Sequence, residues 1–163
     1  MAETGYPRSM RKLRLLAVLA PLTLVAPSAP AQHGPVDFDK GDLTIETHAG
    51  PKKFTVELAT DEPHRAQGLM YRRRMAADAG MLFIYPHEQP MAMWMKDTVL
   101  PLDMVFIAAD GRIRNIQERA VPNSLAVIPS DGPVKAALEL NAGTVERLGI
   151  KPGDRVTAKA LDE

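Results

Sequence analysis

The chain has 163 residues, with 20 basic and 20 acidic side chains, 45% hydrophobic residues and no cysteine. That length suits a single packed core, and the absence of cysteine excludes disulfides, thiol nucleophiles and a lipid-attachment cysteine. Balanced charge without a long basic run argues against nucleic acid as a partner.

Arg8, Arg11, Lys12 and Arg14 precede an apolar run from Leu15 to Ala26, and Pro27-Ser28-Ala29-Pro30-Ala31 supplies a small-residue site of the Ala-x-Ala type. This order is that of a secretory signal peptide, so residues 1–31 are expected to be cleaved after Ala31, leaving a periplasmic or secreted protein. The run contains Pro21 and falls short of the roughly 20 residues a spanning helix needs, so membrane contact is expected only in transit. Met10 opens an equally sufficient basic start. Losing the four basic residues with only Glu3 to offset them takes the formal net charge from zero to about −3. Residues 32–41 are polar and lack periodicity, a flexible leader before one globular β-rich domain over residues 42–163.

Leu43–His48 and Phe54–Leu58 alternate apolar and polar residues around Ala49-Gly50-Pro51, which predicts an antiparallel hairpin. Thr60 or Asp61 can cap a helix with Pro63 in its first turn, and Ala66, Leu69 and Met70 carry that helix to about Arg72. Arg72-Arg73-Arg74 then reads as a solvated helix end whose cations complement the dipole. Gly80–Tyr85 is a continuous apolar run stopped by Pro86, a strand buried on both faces in mid-sheet. A loop over His87–Pro90 leads to a strand over Met91–Lys96. Its alternation places Met91, Met93 and Met95 on one face and Trp94 with Lys96 on the other.

Leu102–Ala108 predicts a second buried strand, Asp110-Gly111 a hairpin turn, and Arg112–Arg119 the return, with a bulge near Asn115 where Ile113 and Ile116 break alternation. Val121–Pro133 reads as a long loop. Val134, Ala136, Leu138 and Leu140 share one face of the next strand, which sets Glu139 between two leucines. Thr144 caps a short helical turn that Gly149 ends, Lys151–Asp154 turns the chain, and Arg155–Ala160 closes it. Short strands with two short helices predict a mostly β (α+β) domain, barrel-like or two-sheet, whose strand order does not follow from local pattern.

Arg65-Ala66-Gln67-Gly68-Leu69-Met70-Tyr71-Arg72, Gly80-Met81-Leu82-Phe83, Trp94-Met95-Lys96-Asp97-Thr98 with Pro101-Leu102-Asp103, and Leu138-Glu139-Leu140-Asn141-Ala142-Gly143 with Gly153-Asp154 together resemble the family catalogued as domain of unknown function 192. The resemblance spans roughly Leu43 to Ala160. It implies a small, mostly β, commonly exported domain without a settled biochemical activity. Asp97 departs from the family pattern, which carries asparagine after the lysine.

Three site hypotheses follow. Arg65, Trp94, Lys96, Thr98, Asp103 and Glu139 lie in or beside apolar sequence, where charges must be paired or open onto water or a ligand. They form either a pocket for a small polar or anionic ligand, or structural ion pairs such as Arg65–Glu139 and Lys96–Asp103 that fix strand register. Met91, Met93 and Met95, with Met70, Met81, His64 and His87 nearby, offer soft ligands for Cu(I), although the same pattern describes a core. His48, His64 and His87 show no zinc-type spacing, and no cofactor is expected. Asp103 with Glu139 is the one carboxylate pair that would suit a hydrolase, and no other catalytic motif is present. The reading favoured is a non-enzymatic small-ligand-binding or envelope accessory module. An envelope protein is the alternative partner, favoured if the Val121–Pro133 loop is exposed.

Overall fold

The computed structural model describes Met1 and residues 37–162, so the expected signal peptide over residues 1–31 lies, Met1 aside, outside the described residues. The strands are β1 (Lys40–Thr47), β2 (Gly50–Ala59), β3 (Ala79–Met93), β4 (Leu102–Ile107), β5 (Ile113–Ala120), β6 (Ile128–Asn141) and β7 (Arg155–Ala158). Two helices, α1 (Glu62–Gln67) and α2 (Thr144–Leu148), and a closing 3-10 turn complete the order among the described residues. All seven strands join one sheet in the order β5-β4-β6-β3-β2-β1-β7, so the curled, barrel-like form is realised and the two-sheet form is not. The fold begins earlier than expected: β1 starts at Lys40 and Phe38 is buried, which moves residues 38–41 from the leader into the domain.

The hairpin of β1 and β2 forms with Thr47 opposite Gly50. Asp61 caps α1 by accepting from the His64 amide at 2.9 Å, and Pro63 occupies the first turn. The helix is shorter than the periodicity suggested. It stops at Gly68, whose φ of 46° lies in the left-handed region, so Leu69 and Met70 continue apolar spacing without helical backbone. Arg72 is therefore no helix end. It donates to both oxygens of Glu57 and lies over the Phe38 ring. The α1 crossover makes β2 and β3 the parallel pair, and every other neighbour runs antiparallel.

β3 is the middle strand, buried from Gly80 to Ile84 as expected, yet it does not stop at Pro86. Its register against β6 slips between Ile84 and Gln89 and again between Pro90 and Ala92. The prolines thus fall where the ladder is interrupted and an amide proton is not needed. Beyond the slip, β3 and β6 continue together as an arm that pairs Met93 with Ile128, which converts the expected His87–Pro90 loop and half of the Val121–Pro133 loop into strand. Ser130 secures this arm, accepting from the Met91 amide at 2.8 Å and donating to the Gly132 carbonyl at 2.7 Å.

Two apolar clusters lie on opposite faces of the sheet. The first gathers Leu43, Ile45, Phe54, Val56, Leu82, Val105, Ile113, Leu138 and Val156, one or more from every strand, with Val145 and Ile150 from around α2. Burial of this set drives the sheet to curl. The second lies on the outer face of the central strands, where Met81, Phe83, Met104, Phe106 and Ala137 meet Leu69, Met91, Met95 and Leu100. β5 shows the expected bulge, with register slipping between its pairings at Asn115 and Ile113.

Candidate functional site

The outer face carries a cleft of about 720 Å³, roofed by α1 and its Gly68–Tyr71 continuation on one side and by the Ala92–Thr98 segment on the other. That volume suits a small organic ligand. Arg65, Trp94, Lys96, Thr98 and Glu139 all line it, so five of the six side chains singled out from the sequence converge there.

Glu139 is the deepest of these. It pairs across the ladder with Met81 of β3 and Met104 of β4, both fully buried, and is itself only 4% exposed. Among the described residues, no cation lies within ion-pair distance of its carboxyl and no hydrogen bond to it is formed. Burial alone pushes its pKa up from an ordinary 4.5 to about 8, so at neutral pH it is mostly a neutral acid.

The cations of the cleft are engaged elsewhere, which overturns both expected ion pairs. Arg65 donates through Nη1 to the carbonyls of Thr60 and Ile84, and its guanidinium lies 4.7 Å from the centre of the Tyr85 ring. Lys96 holds Nζ 5.9 Å from the centre of the Trp94 ring, at the half-exposed mouth. Thr98 does not orient these cations. Its hydroxyl donates to the Lys96 carbonyl at 3.0 Å and its amide to the Met95 carbonyl at 3.1 Å, closing the turn that presents Lys96 and Asp97.

Asp103 is not in the cleft. It pairs with Leu140, one residue out of phase with Glu139, and so projects to the inner face. There its two oxygens accept from the amides of Arg119 and Val145, each at 2.9 Å. With the two carboxyls on opposite faces of the sheet, the pair needed for a hydrolase does not exist.

The methionine face also divides. Met91 and Met95 are buried in the outer cluster, whereas Met93 is partly buried and lines the cleft with Met70. The strand ends at Met93, so Met95 reaches the core from a loop. No group of three or more His, Asp or Glu side chains suited to a metal occurs among the described residues. His64 bonds to Asp61 and to the Asp37 carbonyl, which pins the chain entry to α1.

The sequence reading missed Tyr71, Phe83 and Tyr85 in the cleft wall. Tyr71 and Asp97 both adopt left-handed backbone, with φ of 64° and 53°. They join the two sides of the cleft: the Tyr71 amide donates to the Asp97 carbonyl at 2.8 Å, and its hydroxyl donates to Asp97 Oδ2 at 3.2 Å. The departure at Asp97 is compatible with its backbone, since Asn and Asp both tolerate this region. Beyond the mouth, Val121, Leu125 and Val127 are 64–68% exposed on a loop tied to this segment by the bond from the Met95 amide to the Ser124 carbonyl.

The family model for domain of unknown function 192, described as "Uncharacterized ACR", matches residues 43–158. A crystal structure from Sinorhizobium meliloti 1021, of a protein described as a proposed transcription regulator, is 56% identical over 77% of this chain and 98% of its own, with a TM-score of 0.74. A protein of unknown function from Novosphingobium aromaticivorans DSM 12444 is 38% identical over 80% of this chain and 94% of its own, also with a TM-score of 0.74. No curated protein matches the chain.

Proposed function

The chain belongs to the domain of unknown function 192 family, and on that premise we propose that it is an exported binding module that holds a small polar ligand without covalent chemistry. The observation that carries this reading is Glu139: a buried carboxyl, facing a ligand-sized cleft, with no partner among the described residues. Buried polar groups are almost always hydrogen-bonded, and one left open towards a cleft is a group that a ligand completes. Trp94, 53% exposed at the mouth, supplies a flat apolar surface for that ligand, and Lys96 supplies a cation beside it.

The description of the Sinorhizobium protein as a regulator does not carry over to this reading. The body of this chain is weakly acidic, and the helices among its described residues, of six and five residues, are too short to serve as recognition helices.

Thermal unfolding of the chain from residue 32 against sugars, carboxylates, amines, phosphate, Zn(II) and anaerobic Cu(I) tests the proposal. A ligand at a hundred times its dissociation constant adds about 2.7 kcal/mol, a rise of several degrees. That rise should vanish in Trp94→Ala and Glu139→Gln. A rise confined to Cu(I) and lost in Met70→Leu with Met93→Leu would replace this reading with a thioether site. The exposed Val121, Leu125 and Val127 favour a second reading, in which the module also docks on an envelope protein. Changing all three to serine should then abolish co-purification with that protein while leaving ligand-induced stabilisation intact.

A further inference from the structure

We propose, building on the cleft reading above, that the ligand carries a cationic nitrogen, an ammonium or guanidinium-type group, which docks on the carboxyl of Glu139 at the cleft floor. Three observations lead there. The floor contains a carboxyl but, among the described residues, no cation: Arg65 is turned to the Thr60 and Ile84 carbonyls and onto Tyr85, and Lys96 stays at the mouth beside Trp94. On the same face, Met81 and Met104 across the ladder offer no polar atom beyond thioether sulfur, and Asn141, two residues along, spends its amide on the Met75 and Ala76 carbonyls, so a partner for this carboxyl arrives from the cleft it opens onto. The opening is apolar and aromatic, through Phe83, Tyr85 and Trp94, surroundings in which a charge-assisted bond to carboxylate is far stronger than in water. An anion could use Lys96 at the mouth and the edge of Arg65 that its Nη1 bonds leave free, but would find an acid at the floor. A neutral hydroxyl would satisfy the carboxyl with a weaker, uncharged bond.

The two ligand classes have opposite proton linkage. An ammonium group needs the ionised carboxyl and must expel its proton, so its affinity rises with pH, by about tenfold per unit while the free carboxyl is protonated, and levels off above about 8. A hydroxyl ligand uses the neutral acid as a donor, so its affinity is flat and then falls above that value. Among the described residues, the other charged groups facing the cleft are Arg65 and Glu62 from α1 and Lys96 and Asp97 from the opposite segment, and no histidine lines it. The Tyr71 hydroxyl, bonded to Asp97, titrates above its usual range and stays protonated across the test.

Calorimetric titration of the purified protein with n-butylamine, 4-aminobutyrate, butyrate and n-butanol, four probes of one chain length and different head groups, decides the matter. The two amines should bind with release of a proton, seen as a heat that depends on the buffer, and should lose at least ~30-fold in affinity in Glu139→Gln. Glutamine matches the neutral carboxyl in size, and an unchanged unfolding temperature at pH 5 verifies that this variant is folded. Binding of butyrate or butanol but neither amine would overturn the ammonium proposal while leaving the cleft reading in place. Amine binding that survives Glu139→Gln, or that takes up protons, would also overturn it. Failure of all four probes to bind would sink both.

Discussion

Glu139 holds its proton far more tightly in the folded protein than in the unfolded chain, and that difference must appear in the stability. The unfolded carboxyl releases its proton as pH passes about 4.5, whereas the folded one keeps it to about 8. Between those values the folded state binds the extra proton, so stability is full at low pH and falls as pH rises through the window. At about 1.4 kcal/mol per unit the loss is on the order of 5 kcal/mol. Urea midpoints measured from pH 4.5 to 9 should show this decline in the wild type and not in Glu139→Gln; an equal slope in both would mean that another group is responsible. Leu138-Glu139-Leu140 announced a buried charge, and Trp94 announced a surface, because both signals are local. The missing partner was not legible, since Arg65 and Glu139 could be paired in sequence logic, and only the bonds of Arg65 to Thr60 and Ile84 remove that option.

The helix α2 begins without a capping side chain of its own, because Gly143 occupies its N-cap position. Thr144 was the expected cap, but the acceptor comes from β4: Asp103 takes the Val145 amide on one oxygen and the Arg119 amide on the other. One side chain thus fastens the helix start and the irregular end of β5, where Arg119 has a left-handed φ of 50°. Asp103→Asn would turn an amide donor towards one of these two amides, leaving a buried donor unsatisfied. The expected cost is about 2–3 kcal/mol in equilibrium unfolding, with ligand binding in the cleft unchanged because the residue faces the other way. Loss of cleft binding without loss of stability would contradict this assignment. The strand itself was legible in the apolar run Leu102–Ala108, but which face Asp103 takes depends on its register with β6, and a shift of one residue reverses it.

At the scale of the whole sheet, the order β5-β4-β6-β3-β2-β1-β7 leaves β5 and β7 as edges. Local pattern located most of the strands, yet this order depends on pairings far apart in sequence, such as β4 with β6, which no window of neighbouring residues encodes. Curling brings the two edges together at one end, where Arg112 bridges Arg155 and three backbone bonds cross: Ile113 to the Asp154 carbonyl, Gly153 to the Ile113 carbonyl, and Val156 to the Gly111 carbonyl. Pairing at this seam also blunts edges that would otherwise be open to another chain. Gly111 is critical to it. Its φ is +81°, and a Cβ there would lie 2.8 Å from the Val156 carbonyl oxygen, a backbone atom that cannot move aside without opening the seam. Gly111→Ala combines the left-handed penalty of about 1 kcal/mol with loss of the bond across the edges, for a total of roughly 2–3 kcal/mol. Hydrogen exchange gives the sharper readout: the amides of Ile113, Gly153 and Val156 should lose protection, while those of Leu82 and Leu138 in the central strands should fall only by the global change in stability. A uniform loss across all strands would mean that the seam and the central sheet unfold as one cooperative unit, and that the curl is not closed by this contact but imposed by the inner apolar cluster alone.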